Sequence, residues 1–459
     1  MLLMKLKFVT VGILISLSSV LGDTPANCTY EDIAGSWVFH LSAGNKNRNV
    51  NCSETFSTKN TIKISLIYPD IAIDEFNNRG FWTLIYNQGF EVVIAGRKYF
   101  GFSKYVGSSS FCDKIIGGWS HDIRGNDWAC YNGQKSGAAI TKTNVVKKDF
   151  GLKFSHRINS QEMVASINAA QNSWQAVRYP QFEGLRDEDF INLAGGPMSV
   201  IHSRPKPAPL TDAHKRLMGS LPESFDWRNV NGVNYVSPVR NQGGCGSCYA
   251  FAALAMDEAR IRILTNNTQK PVFSPQDVVE CSPYSQGCAG GFPYLISGKY
   301  AEDYGLVLEE CNSYKGIDGI CTTNSTCPRH YFTNYKYVGG YYGATNEAVI
   351  LQALYEGGPL AVGFMVYSDF SNYKSGIYHH IDSISDNLGR FNPFEITNHA
   401  VLLVGWGVDK KTSEKYWIVK NSWGENWGID GYFWIRRGTD ECGFESLAVE
   451  STPVFTFNS

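Results

Sequence analysis

Behind Cys248 the chain runs from Tyr249 to Lys270 without a glycine or a proline. Phe251, Leu254, Ala255 and Ile261 recur there at helical spacing, which predicts a helix with Cys248 at its N-terminus. A second pattern spans Phe81 to Tyr105, rich in aromatic and β-branched residues and broken by Asn87-Gln88-Gly89 and Ala95-Gly96-Arg97. It predicts short antiparallel strands joined by turns. A third is the apolar run Ala400–Val404 directly after His399, which predicts a buried strand. Residues 142–220 are more polar. Their stripe of Met163, Ile167, Ala170, Trp174 and Val177 predicts one amphipathic helix. Arg204-Pro-Lys-Pro-Ala-Pro209 and His214-Lys215-Arg216 then predict an extended, exposed, protease-accessible linker. No internal repeat is evident.

At the start, Lys5 and Lys7 precede an apolar stretch from Phe8 to Leu17, followed by Val20-Leu21-Gly22. The apolar core is too short to span a membrane and small residues follow, so residues 1–22 are expected to be a secretory signal peptide. The mature chain is then expected to begin at Asp23 and to lack membrane insertion. A length of 459 residues and an apolar content of 43% suit two to four domains with real cores. A net charge of −2 with no basic block argues against a nucleic-acid partner. Twelve cysteines fit an oxidising route, and sequons at Asn27, Asn51, Asn266 and Asn324 agree with secretion.

Candidate chemistry centres on Gln242-Gly-Gly-Cys245-Gly-Ser-Cys248. A helix N-terminus favours a thiolate at Cys248, and a thiolate attacks carbonyl carbon. Gln242, six residues upstream, is a neutral donor suited to the resulting oxyanion. A zinc half-site or a redox Cys-x-x-Cys would need a second ligand pair or a βαβ context, and neither follows. A base and an orienting group are available downstream as His399 and Asn421, with Trp423 able to shield their hydrogen bond. If Cys248 is free, parity leaves one more cysteine of its region unpaired, and Cys442 is the natural candidate; the connectivity itself stays open.

These three segments resemble the papain family of cysteine proteases, from about Leu221 to the C-terminus, with Tyr249 where that family usually has tryptophan. Asp23-Thr-Pro-Ala-Asn-Cys-Thr-Tyr30, Ile85–Glu91, Arg204–Leu210 and Phe391–Thr397 extend the resemblance to the family's dipeptidyl-peptidase branch. The resemblance implies an α+β fold: a two-lobed papain-like catalytic domain, with a helical lobe and a β-barrel-like lobe, behind an antiparallel β-barrel exclusion domain. It implies an exclusion domain at 23–141, a propeptide at 142–220 and a catalytic domain at 221–459. Cuts near 141, Ser220–Leu221 and Arg390–Phe391 would divide the last into a heavy chain of about 221–390 and a light chain of about 391–459.

The implied activity is a lysosomal or granule exopeptidase that removes dipeptides from free N-termini, with Asp23 binding the substrate ammonium. Gly290, Gly291, Phe292, Pro293 and Trp423 would contact substrate. A chloride ion would meet the Tyr337 hydroxyl and the backbone N–H groups of Phe292 and Tyr294, with no metal or organic cofactor. The implied disulfides are Cys28–Cys112, Cys52–Cys130, Cys245–Cys288, Cys281–Cys321 and Cys311–Cys327. A homotetramer and an activating protease are implied as partners besides peptide and protein substrates. Two other readings stay open to the sequence: an endopeptidase with an unrelated accessory domain, and an inactive relative that only binds.

Overall fold

The computed structural model describes residues 24–48, 50, 52, 56–143, 158–185, 187–199, 204–381 and 398–454. Its N-terminal part is built from ten strands. They are β1 (Gly35–Leu41), β2 (Asn60–Ile67), β3 (Ile71–Asp74), β4 (Arg79–Ile85), β5 (Gly89–Ile94), β6 (Arg97–Val106), β7 (Ser109–Ile115), β8 (Gly118–Asp122), β9 (Trp128–Lys135) and β10 (Thr141–Thr143). Eight of them pair in the order β1-β2-β3-β4-β5-β6-β8-β9, and β9 pairs back onto β1, closing an antiparallel barrel. β7 branches from β6 and β9 and carries β10.

Alternation explains the barrel interior. Trp37, Phe39 and Leu41 of β1 point inward at every second position and are buried. Phe39 lies 5.3 Å from both Tyr99 and Tyr131, and Trp37 lies 4.9 Å from Phe90. The expected turns fall at Tyr86-Asn87 and Ala95-Gly96, where both residues of each pair have positive φ, as tight hairpins require. Two disulfides, Cys28–Cys112 and Cys52–Cys130, staple the barrel.

In the C-terminal part a helix spans Cys248–Leu264, and every residue from Cys248 to Arg262 is buried. It is therefore a central helix, apolar on more than one face. It stops before Lys270 because Asn266 and Asn267 turn the chain with positive φ. Beside it lies a sheet in which Asn398–Val408 pairs antiparallel with Leu360–Met365 on one side and Lys415–Lys420 on the other. Leu402 faces Lys420, so the residues just past Lys420 run back alongside His399.

The middle segment departs from expectation in three ways. The amphipathic helix is real but ends at Ala170, capped at its start by Ser160 accepting from the Met163 N–H. Trp174–Ala176 is instead a strand, buried at both ends and exposed in the middle, paired with Tyr373–Tyr378. The linker is corrected in its conformation: His214, Lys215 and Arg216 lie in a helix, Asp212–Ser220, capped by Thr211, rather than in extended chain, and Lys215 and Arg216 are exposed as expected. Arg204, by contrast, is only half-exposed, and its guanidinium is drawn into the protein. Ser446 Oγ and the carbonyl oxygens of Gly363 and Gly443 accept from it there.

The barrel is fastened to the catalytic part by polar as well as apolar contacts. Glu91 of β5 accepts from the Tyr335 hydroxyl at 2.8 Å and the Tyr294 hydroxyl at 3.3 Å. Lys98 of β6 pairs with Glu302 at 2.7 Å and lies 3.8 Å from Glu91. His121, Glu302 and Asp303 approach one another closely enough to suggest a cation site. Protein cations already serve it: Lys299 Nζ is 2.8 Å from His121 Nε2 and 3.0 Å from Asp303. Among the described residues no helix is long and apolar enough to cross a membrane.

Candidate active site

The helix start, the strand start and the strand end converge on one point. Cys248 is the first residue of its helix, and the Ala400 N–H donates to its Sγ at 3.4 Å. His399 opens the adjoining strand, and its Nε2 donates to Asn421 Oδ1 at 2.8 Å. The same Oδ1 accepts from the Ser422 N–H at 2.8 Å, which fixes it as oxygen and so fixes the tautomer of the imidazole. His399 Nδ1 is thereby left as the basic nitrogen, and it is buried without a hydrogen-bond partner. Trp423 packs at 5.1 Å from the His399 ring, keeping water from the Nε2 bond.

Gln242 stands on the other side of the thiol. Its Oε1 accepts from Ser422 Oγ at 2.6 Å, which turns the amide so that Nε2 faces the cleft. Sequence reasoning passed over Ser422 as a positioning residue, although it lies between Asn421 and Trp423 in the same motif. Tyr249 replaces tryptophan without loss of anchoring, because its hydroxyl donates to the Gly287 carbonyl at 3.0 Å. That bond ties the helix to the glycine wall, Gly290 and Gly291. A Cβ on Gly291 would come within 2.8 Å of the Tyr249 ring, and Gly290 has a φ of +138°. Cys245–Cys288 braces this wall, and Cys281–Cys321 and Cys311–Cys327 brace the loops behind it. Cys248 and Cys442 are the free cysteines.

The cleft is occupied by the chain's own segment before Arg204. Leu193 O accepts from Trp423 Nε1 at 3.0 Å and from Gln242 Nε2 at 3.3 Å. The Met198 N–H donates to Ala289 O at 2.9 Å, and the Gly291 N–H donates to Ser199 Oγ at 3.1 Å. Phe182, Phe190 and Leu193 of this segment are buried and anchor the strap, each contributing about 1.5–3 kcal/mol to its hold. Beneath this cover Cys248 is not the thiolate that its place at a helix N-terminus led one to expect. Burial pushes the Cys248 thiol up to about 12 and pulls His399 down to about 4, the latter opposed by the bond to Asn421. Both groups are therefore neutral beneath the strap.

Past Gly291 the pocket is aromatic. The Phe292 ring stacks on Tyr86 of the barrel at 4.1 Å, so the barrel wall closes that end. Pro293 leads into a helical turn carrying Tyr294, whose ring stacks on Tyr337 at 4.3 Å. The Tyr337 hydroxyl is buried beside that of Tyr86, and the Tyr294 N–H reaches Tyr86 Oη at 3.4 Å. Asp23 and Asn51 lie outside the described residues. Asn266 and Asn324 are exposed, whereas Asn27 is partly buried.

Comparison with known proteins agrees with this geometry. Residues 221–452 match the papain family cysteine protease model, and the chain belongs to that family. Residues 23–135 match the cathepsin C exclusion domain, and the chain is a cathepsin C homologue. It is 49% identical over 453 residues to cathepsin C of Schistosoma mansoni, covering 96% of this chain and 98% of that one. A gut-specific cysteine proteinase of Caenorhabditis elegans is 32% identical, over 64% of this chain and 90% of its own. Procathepsin L2 of Tenebrio molitor superposes with a TM-score of 0.51 at 29% identity, over 64% of this chain and 88% of that one. Procathepsin B S9 of Trypanosoma congolense gives 0.50 at 26%, over 65% and 99%.

Proposed function

We propose that this chain is the precursor of a dipeptidyl peptidase that removes two residues at a time from free N-termini. The observation that carries the reading is the contact between Tyr86 and Phe292, where the barrel closes the cleft just beyond the glycine wall. An extended substrate lying along Gly290 and Gly291 then has room for only a short amino end. The Thr24 N–H donates to Gln88 Oε1 at 3.2 Å, tying the start of the barrel near Tyr86. Asp23, the preceding residue, is the carboxylate proposed to receive the substrate ammonium, which would measure out two residues and reject acylated ends.

Chemistry follows from the neighbours of Cys248 once the strap is gone. Cys248 passes its thiol proton to His399 Nδ1, and the resulting thiolate attacks the second carbonyl carbon, forming the S–C bond while Gln242 Nε2 and the Cys248 N–H donate to the oxyanion. His399 Nδ1 gives its proton to the leaving amine as the C–N bond breaks. The same nitrogen then takes a proton from water, which displaces the thiol and releases the dipeptide. A chloride ion is proposed beside Tyr337, whose buried hydroxyl has a proton to donate. Residues 142–220 are read as a propeptide, with cuts near 141, Ser220–Leu221 and Arg390–Phe391 by an activating protease. Lysosomal or granule residence and a homotetramer complete the proposal.

Mass spectrometry of the products from a ten-residue peptide with a free amine tests it. Successive loss of dipeptides is expected. Internal cleavage products from the outset would remove the reading.

A further inference from the structure

Both ends of the loop from Gln242 to Ser247 meet at one atom, the Tyr314 hydroxyl. It donates to the Gln242 backbone carbonyl at 2.7 Å and lies 2.6 Å from Ser247 Oγ. A carbonyl oxygen can only accept, so the single phenolic proton goes to Gln242 and the Ser247 hydroxyl donates to Tyr314. Ser247 is the N-cap of the helix that Cys248 opens, yet its side chain makes no capping bond there. That hydroxyl serves Tyr314 instead. Burial pushes the Tyr314 phenol up to about 12, so the proton stays in place through the acid and neutral range.

The loop between those ends has little packing of its own. Gly243 and Gly244 have nothing within 4 Å of where a Cβ would stand. Its middle is held by Cys245–Cys288 and by the Gly246 N–H, which donates to Cys288 O at 2.9 Å. Tyr314, by contrast, is presented on a firm support. Its N–H donates to Glu309 Oε1 at 2.8 Å, and the Lys315 N–H donates to Gln276 Oε1 at 2.9 Å. Glu309 also pairs with Arg240 at 2.7 Å, and the Tyr314 ring stands edge-on to Phe251 at 4.8 Å.

We infer that Tyr314 is a positioning residue for acyl transfer, its hydroxyl setting the spacing of the two oxyanion donors. One donor, Gln242 Nε2, belongs to the residue whose carbonyl Tyr314 holds. The other, the Cys248 N–H, belongs to the peptide unit that Ser247 begins. Donors fixed in advance need no rearrangement as charge develops on the reacting oxygen. Without the phenolic hydroxyl, the Gln242 carbonyl and the Ser247 hydroxyl lose their common partner, and the glycines between them let the two donors drift apart. The inference rests on the oxyanion part of the proposed mechanism and not on the dipeptide specificity.

The test uses Tyr314→Phe in the enzyme after removal of the strap, with whichever dipeptidyl reporter, free or acetylated, the wild type cleaves. The ring and its contact with Phe251 remain. kcat is expected to fall about tenfold, with KM within about twofold. Alkylation of Cys248 by iodoacetamide builds no oxyanion, and its rate is expected to stay within about twofold of the wild type. A peptide aldehyde, whose adduct with the thiol places an oxygen at the donors, is expected to bind about tenfold more weakly. In a Gln242→Ala background, Tyr314→Phe is expected to lower kcat by less than about threefold more. Unchanged kcat in Tyr314→Phe beside a slowed Gln242→Ala overturns the inference alone. Unchanged kcat in both variants removes the oxyanion role of Gln242 with it. An equal fall in kcat and in alkylation also overturns the inference, because the thiol rather than the donors would have moved.

Discussion

The Gln242 side-chain amide donates to the Leu193 carbonyl oxygen at 3.3 Å, so a backbone oxygen of the chain itself occupies the donor proposed for the oxyanion. The same donor is free for a reacting carbonyl once the strap leaves. Gln242→Ala is expected to lower kcat by about 10²–10³-fold in the released enzyme with KM little changed, as measured by steady-state kinetics.

Asn421 acts through His399 rather than on substrate. Removing its Oδ1 leaves Nε2 without its 2.8 Å partner and frees the ring to choose the other tautomer. Asn421→Ala is expected to lower kcat roughly 10²-fold, whereas Cys248→Ala should abolish turnover with fold and assembly intact. Circular dichroism and kinetics on both variants check this.

The strap keeps His399 neutral, with its pKa near 4 against about 6.5 for a free imidazole. Between those values the uncovered chain binds the extra proton. The covered state therefore has its full advantage above about pH 6.5 and loses it as pH falls toward 4. Cys248, pushed up to about 12, contributes no thiolate beneath the cover in that range. Cutting of the Leu193–Ser199 strap in the full-length chain by an added acid-stable protease, corrected for that protease's own pH profile, is expected to quicken from pH 7 to pH 4. A rate that falls steadily over that range would contradict the role of the strap.

Lys98 sits between Glu91 and Glu302 where barrel meets catalytic part. Lys98→Met leaves two carboxylates facing each other without their cation. The docking is expected to weaken by about 3–5 kcal/mol. Thermal unfolding should show the barrel loosening first, with cleavage of acetylated substrates appearing as the end of the cleft opens.

The nucleophile, base and orienting residue were legible because each lies in a short motif whose residue types are demanded by the chemistry. The barrel hairpins were legible because Asn87, Ala95 and Gly96 punctuate alternating strands. The strap was not. Trp174 and Val177 continue the apolar spacing of Met163 and Ile167, and only pairing with Tyr373–Tyr378 turns Trp174–Ala176 into a strand. Arg204 reads as exposed in a proline-rich stretch, because its acceptors, Gly363, Gly443 and Ser446, are distant in sequence and mostly backbone. The neutral state of Cys248 and His399 has the same origin: local helix geometry favours a thiolate, but burial in the assembled fold overrides it.

The central claim is that the barrel leaves room for two residues and that Asp23 receives a free amine. One dipeptidyl reporter, with a free and with an acetylated N-terminus, tests it most directly at mildly acidic pH, on wild type and Asp23→Asn. Cleavage of the free form alone, lost or greatly weakened in Asp23→Asn, is the predicted result. Comparable cleavage of both forms by the wild type would contradict it, because the cleft would then be open past Phe292.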